Sequence, residues 1–493
     1  MAVDSKHPRY IEFLEDWTKM WDTYRGERVV KEAGETYLPS TSGQKADGFQ
    51  PGQQGYNAYA AYKKRASFPD VVKAAVEAMI GVMHHKPPVI ELPAALENMR
   101  ENATLQGESL EMMLRRINEN QLIYGRLGCL LDVPDGAPVG ETPYIALYNA
   151  CAIYNWDNGA RDELVSQNLN LVTLDESEYE RKQDFEWEFE NKTRVAILGD
   201  PMANEPKGVG VYRVGVFKDS TSVFTEEGLV TPSIGGRTLS KIPFVFINSK
   251  DIVPSPDQPP LLGLAQLALT IYRGEADYRQ ALFMQGQDTL VVTGSLDEDE
   301  IRTGANASIK LPIGGDAKFI GVESTGLTEM REALQNDKNE AREKGGQLLD
   351  TTSRAREAEG SLKIRVAART ATLNQIALAG AFGLEQLLRM AAEWVGANPA
   401  EVKVEPNLDF ADDDMDGKTL VEYMTAKSLG APYSLLSIHK QMRDRDLTEF
   451  EFEEELKQIE KENDMEFGMT SSDDIEATPD EVEGTDTNEP DQA

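Results

Sequence analysis

The residue types best able to do chemistry in this chain are concentrated in DFADDDMDGK, residues 409–418. Carboxylates packed this closely could gather around magnesium or calcium, and Asp412, Asp413 and Asp414 would then serve an acidic, metal-dependent nuclease. The spacing departs from that of a calcium loop and lacks its closing glutamate, so an acidic turn that caps the following helix accounts for the run more simply. Four histidines offer less. His84 and His85 adjoin a helix end, His7 and His439 stand alone, and none has the HExxH spacing that sets two ligands on one helical face. They read as solvated residues near helix ends. Cys129 and Cys151 belong to no CxxC and no cluster with histidine, and they read as small buried hydrophobes. GVGVYR at 208–213 lacks the third glycine and the strand-to-helix setting of a pyrophosphate cradle, which leaves a plain strand. No GxxxxGK[ST] and no GxSxG occurs, so the chain is expected to be no enzyme and to need no metal or cofactor.

Charge sets the next bound. The formal net charge is -35, the opposite of the basic stripe that a nucleic-acid coat uses to neutralise phosphates. An acidic wall can still face a duplex that must move past it without sticking. At 493 residues the chain needs two or more packed regions. No run approaches the ~20 apolar residues that span a bilayer, and the start, MAVDSKHPRYIEFLEDW, lacks the layout of a secretory signal. An intracellular protein without membrane contact is expected.

The elements that would position any site follow from periodicity. Residues 1–33 have a helical pattern that Gly34 can end, and a Gly/Ser/Pro-rich loop follows over 37–59. FPDVVKAAVEAMIGVMHH predicts a helix with Val72, Ala75, Met79 and Val82 on one stripe. SLEMMLRRINENQLIYGRLGCLLDVP predicts a helix that passes through a glycine turn into a buried strand. From about 143 to 250 the period becomes two, most clearly in DFEWEFE, which predicts a mostly antiparallel β-region.

Three long helices come next. The first, about Leu261 to Gln285, is apolar in LLGLAQLALTIY and mixed in YRGEADYRQALFMQ. Short strands in DTLVVTG and SIKLPIGGDAKFIGVE separate it from the second, about Leu327 to Leu349, with Leu327, Met330, Leu334, Ala341 and Leu348 on one side. DTTSRAREAEGS interrupts before the third, about Leu362 to Val395. Further helical stretches are predicted near 416–430 and 447–463, then a tail with eleven acids from Asp464 and no lysine or arginine, expected to be disordered. The first two helices would each run about 35 Å, a pair of matched struts with a small β-insertion at one end. A helix dry at one end and wet at the other suits an element that leaves a thick body and enters a thinner wall.

In this order of elements the sequence resembles the portal proteins of tailed bacteriophages. The resemblance is carried by YLP at 37–39, YNAYAAYKKRASF at 56–68, HKPPVIELPAAL at 85–96 and IYGRLGCLLDVP at 123–134. It continues through PPLLGLAQLALTIYRGEADYRQALFMQGQDTLVVTG at 259–294, LPIGGDAKFIGVESTGL at 311–327 and REAEGSLKIRVAARTATLNQIA at 356–377. It spans roughly residues 35 to 395 as spaced segments, without a single catalytic signature.

What the resemblance implies is an α+β portal fold. A helical and β wing would occupy 1–260, stem helices 261–288 and 325–349, and a small β clip 289–324. A tunnel loop would follow at 350–362, a long wing helix at 363–396, a helical crown at 397–463 and a flexible acidic tail at 464–493. Such subunits form a ring, usually of twelve, around a channel for double-stranded DNA. Twelve helices about 10 Å wide enclose a bore on the order of 28 Å, which admits a duplex. Implied partners are a terminase that hydrolyses ATP, a head-completion or adaptor protein, and a major capsid or scaffolding protein. The implied location is the virion, after assembly in the host cytoplasm. By position, the candidate DNA-channel residues are Arg354 and Arg356 in the loop and Lys363, Arg365 and Arg369 on the helix after it; pairing with Glu357, Glu359 or a neighbouring subunit is the competing role. An adaptor or scaffold is the structural alternative. Adaptors are shorter, and a scaffold would lack the β-region.

Overall fold

The computed structural model describes residues 2–133, 137–138, 140–157, 169–198, 210–218, 228–285, 289–293, 313–320, 325–345, 359–408 and 410, and farther on 421, 424–425, 427, 434–443, 448 and 450–469. The chain divides into two compact units, Met1–Phe410 and Ala411–Ala493.

In the first unit, α1 (Pro8–Arg25) begins with proline at its first position, and His7 caps it by accepting from the Arg9 N–H. The helical pattern does not run unbroken to Gly34. The chain turns at Gly26, φ 84°, where a Cβ would also lie 2.7 Å from Asp70 Oδ1, and resumes as α2 (Glu27–Glu32). The expected loop at 37–59 holds more structure than its glycines suggest. A reciprocal capping box between Thr41 and Gln44 starts α3 (Ser42–Ala46), and α4 (Gln54–Arg65) buries Tyr59 and Tyr62. On α5 (Val71–Met83) the buried stripe is Val72, Ala75, Val76, Met79, Ile80 and Met83; Val82 is half-buried, because a 3.6-residue turn brings Met83 over Met79 and Ile80.

After β1 (Val89–Glu91), α6 (Leu110–Tyr124) is capped by Ser109 and closed by left-handed Gly125, φ 71°. It leads into β2 (Arg126–Asp132), buried along its whole length, as the sequence predicts. The β-region comprises β3 (Tyr144–Asn149), β4 (Ile153–Asp157), β5 (Leu171–Asp175), β6 (Glu178–Arg181), β7 (Trp187–Glu190), β8 (Lys192–Leu198), β9 (Tyr212–Lys218) and β10 (Phe244–Asn248). All its pairings are antiparallel among the described residues, in a sheet ordered β10-β2-β3, a sheet ordered β4-β5-β8-β9 and the hairpin β6–β7.

The helical half follows: α7 (Leu262–Gln285), the strands β11 (Thr289–Thr293) and β12 (Asp316–Ile320), α8 (Thr325–Gly345) and α9 (Glu359–Val395). A last strand, β13 (Lys403–Glu405), returns to pair antiparallel with β1. A main apolar core runs through this unit, with Trp17, Trp394, Tyr212 and Tyr272 among its largest fully buried side chains, and a small second cluster joins Val3, Val195, Ile197 and Phe217. Two glycines let α9 sit deep in it. A Cβ on Gly380 would lie 2.5 Å from Asn118 Oδ1 of α6, and one on Gly383 would lie 2.5 Å from Ile247 Cγ1 of β10.

In the second unit, helical residues occur at 421, 424–425 and 427, within the predicted stretch. A helix that the periodicity did not reveal, α10 (Leu435–Arg443), is followed by α11 (Phe452–Met469). Residues 464–469, expected in the disordered tail, are helical, because Met465, Phe467 and Met469 carry apolar content past Asp464. Residues 470–493 lie outside the described residues. The fold is α+β.

Candidate functional site

The struts read from the sequence are α7 and α8. They run antiparallel: Gly274 and Glu275, midway along α7, meet Leu334 and Lys338, whereas Gly345 at the end of α8 lies against Leu264 near the start of α7. Their far ends continue into β11 and β12, which pair from Thr289↔Ile320 to Thr293↔Asp316. A two-stranded β-unit therefore joins the tips of two helices. Leu334 and Ala341 are buried and Leu327 and Met330 half-buried on the expected side of α8, whereas Leu348 lies outside the described residues.

α7 changes character at Glu275. Above it, Leu262, Leu264, Ala265, Ala268, Leu269, Ile271 and Tyr272 are buried; below it, Leu282, Phe283 and Met284 are exposed. Glu275 itself is 5% exposed. Burial would raise its pKa, but hydrogen bonds from Lys338 of α8 and from Arg279 Nε, 2.7 Å away, outweigh burial and hold the carboxyl below its usual value. The lower half of α7 is braced from α4. Tyr62 donates to Asp277, and Arg65 donates to Gln280 and lies 4.1 Å from the Phe283 ring centre.

Of the candidate channel residues, Arg354 and Arg356 lie outside the described residues, as does DTTSRAREAEGS up to Ala358. Lys363, Arg365 and Arg369 fall on the first turns of α9, with positions 365 and 369 about one turn apart. Asp412 to Asp414 also lie outside the described residues, and among those described no group of three or more His, Cys, Asp or Glu is placed to hold a metal.

Two polar clusters carry no sequence signal, because their members meet only through sheet packing. Arg194 of β8 donates to Glu176 at 2.6 Å and to Asp132 at the end of β2; Tyr144 donates to Asp132 and Tyr148 to Glu176. This network latches the two sheets together. The Arg126 guanidinium is fully buried, its nitrogens without a hydrogen-bond partner, between Trp156 and Phe246 at 4.1 and 4.2 Å, and burial pushes its pKa down to about 9 against the pull of Asp257. Neither cluster holds an activated nucleophile. Burial pushes both thiols, Cys129 and Cys151, up to about 12, toward the unreactive form.

Of the four histidines, expected to be solvated, His85 is exposed. His84 is half-buried and hydrogen-bonded to Asn118 at 2.9 Å, and burial, with Arg115 nearby, lowers it to about 4. His7 stacks on Trp156 at 3.9 Å, and buried His439 meets the Phe452 ring edge-on. Their ring faces are used for packing, which spacing arguments about metal ligands do not weigh. No helix among the described residues is long and apolar enough to cross a membrane.

Residues 260–395 match a family model described as Domain of unknown function (DUF4055). That span takes in both struts, the β-unit at their tips and α9. No curated protein matches the chain. Among solved structures, the chain is similar to one from the neck of a native GTA particle computed with C12 symmetry, at 12% identity and a TM-score of 0.39, covering 82% of this chain and 98% of that chain. A second likeness is to a chain from the neck of an empty GTA particle computed with C6 symmetry, at 13% identity and a TM-score of 0.39, covering 77% and 90%. At that TM-score neither likeness bears on what this chain does.

Proposed function

We propose that the chain is the repeating subunit of a portal-type ring, of twelve copies as the resemblance implies, through which double-stranded DNA enters and leaves a phage-like capsid at one vertex. The observation that carries the reading is the strut pair. Two antiparallel helices, a β-unit joining their tips and a long helix after them follow one another in the order that the portal resemblance implies for stem, clip, stem and wing helix. The change from buried to exposed along α7 supports it, since a stem helix leaves the subunit body at mid-length and meets neighbouring copies below. On this reading the chain performs no catalysis and needs no cofactor, and a separate terminase supplies ATP hydrolysis.

The β11–β12 end is the docking face for terminase and later for a head-completion or adaptor protein. The opposite, thicker part meets the major capsid or scaffolding protein. Arg354, Arg356, Lys363, Arg365 and Arg369 make brief phosphate contacts in an otherwise acidic channel. The two antiparallel sheets favour this reading over a scaffold. Single-particle images of the purified full chain test it. Closed rings seen end-on, with a bore wide enough for a duplex, are expected; a strictly monomeric chain at all concentrations and salts would refute it.

A further inference from the structure

The hairpin β6–β7 is an arm that carries more aromatic surface than a free arm needs. It continues the β5–β8 pair outward, since the Glu176 N–H donates to the Lys192 carbonyl at 3.0 Å. Opposite residues of an antiparallel pair share a face, so Tyr179↔Phe189 and Arg181↔Trp187 line one side. That side is bare. Tyr179 is 65%, Trp187 62%, Phe189 54% and nearby Phe185 93% exposed. Four of the eight large aromatics exposed among the described residues therefore lie within eleven positions. The other side is locked: Lys192 bridges to Glu178 and Glu180, Lys182 to Glu180 and Glu190, and Lys218 of β9 to Glu190. Tyr179 and Phe189 also pack edge-on at 5.1 Å. The arm is stiff, so docking it costs little ordering entropy.

We propose that this aromatic face is a contact between neighbouring copies of the chain, with Arg181 as its charged anchor. The inference rests on the ring reading above. An aromatic side chain buries ~150–250 Å², so at these exposures the face offers on the order of 500 Å², against about 800 Å² per partner in a standard interface. It thus supplies more than half of one side of a subunit contact. Charge selects the occupant. Glu178, Glu180 and Glu190 are matched by lysines of the same sheet, whereas the register sets Arg181 opposite Trp187 on the ring face. A copy with net charge -35 presents the acidic surface that suits an arginine among aromatics. Like-charged copies cannot be drawn together by their average charge, so exposed rings must provide the adhesion.

The test compares the full chain with Phe185→Ser/Trp187→Ser and with Arg181→Glu by sedimentation velocity over a range of concentrations. Circular dichroism checks folding, and hydroxyl-radical footprinting reads the wild-type rings. The double variant is expected to fold normally and to raise the half-assembly concentration by at least about tenfold. Arg181→Glu is expected to raise it about threefold at low salt and less at about 0.5 M salt. Tyr179, Trp187 and Phe189 should be protected in wild-type rings. If wild-type rings left these residues labelled as in dissociated subunits, or if the folded variants assembled at the wild-type concentration, the arm would have another occupant and the inference would fall while the ring reading stood. Should the double variant misfold, Arg181→Glu and the wild-type footprint decide alone. A wild-type chain that never assembled would instead remove the ring reading.

Discussion

Glu275 is the residue on which the strut pair turns. It sits where α7 passes from buried to exposed, and two cations offset the burial of its charge. Its folded pKa lies below the ordinary value, so its contribution to stability is present above the unfolded carboxylate pKa and is lost as pH falls through the folded one. Glu275→Gln keeps the shape and removes the charge. It should lower stability by about 1.5–3 kcal/mol near neutral pH, toward the lower figure because Lys338 and Arg279 reach solvent. The variant should also lose part of the wild type's decline in stability below the usual glutamate range. Denaturant unfolding of both proteins at neutral and acid pH measures this; equal losses at both would show that the clasp contributes through packing, without a charge term. The sequence places Glu275 among the polar residues of the lower half, yet its burial depends on Lys338, sixty-three positions away, which no local pattern joins to it.

At the scale of elements, α9 shows how far a helix can be buried when glycines allow it. A Cβ at Gly383 would meet Ile247 Cγ1 at 2.5 Å and Cδ1 at 2.6 Å, and Ile247 is fully buried. Gly383→Ala should therefore cost about 1–3 kcal/mol of overpacking, against a gain of up to ~1 kcal/mol in helix propensity. Gly263 of α7 has nothing within 4 Å of a Cβ, so Gly263→Ala keeps the propensity gain alone. Opposite shifts of the denaturation midpoint are expected, and a stabilising Gly383→Ala would mean that α9 sits farther from β10. Such seats are invisible to periodicity, which reads a glycine only as a breaker. Where one face is plainly apolar, pattern suffices: α6, the Gly125 turn, β2 and the struts were all legible. Where caps and aromatic stacks decide, as at Thr41, Gly26 and His7, it does not. Of the candidate site, the struts could be read from sequence order, whereas the clasp at Glu275 and the sheet latch at Arg194 needed three dimensions.

For the whole molecule, charge and adhesion oppose each other. Twelve copies at -35 each would carry a formal charge of about -420, a total that includes the eleven acids per copy, with no basic residue, from Asp464 onward. If apolar and aromatic contacts hold the ring, salt should favour assembly by screening repulsion between copies. The Debye length falls from about 10 Å at 0.1 M to about 3 Å at 1 M, and aromatic contacts are not weakened by that change. The half-assembly concentration should therefore fall as salt rises. Removing residues 470–493 should lower it further at low salt and change it little at high salt, since the deleted acids act through the same repulsion. Sedimentation of both chains over that salt range measures the two effects together. Rings that dissociated as salt rose would show an interface held by ion pairs between copies, and the aromatic arm would then be a minor contributor to it.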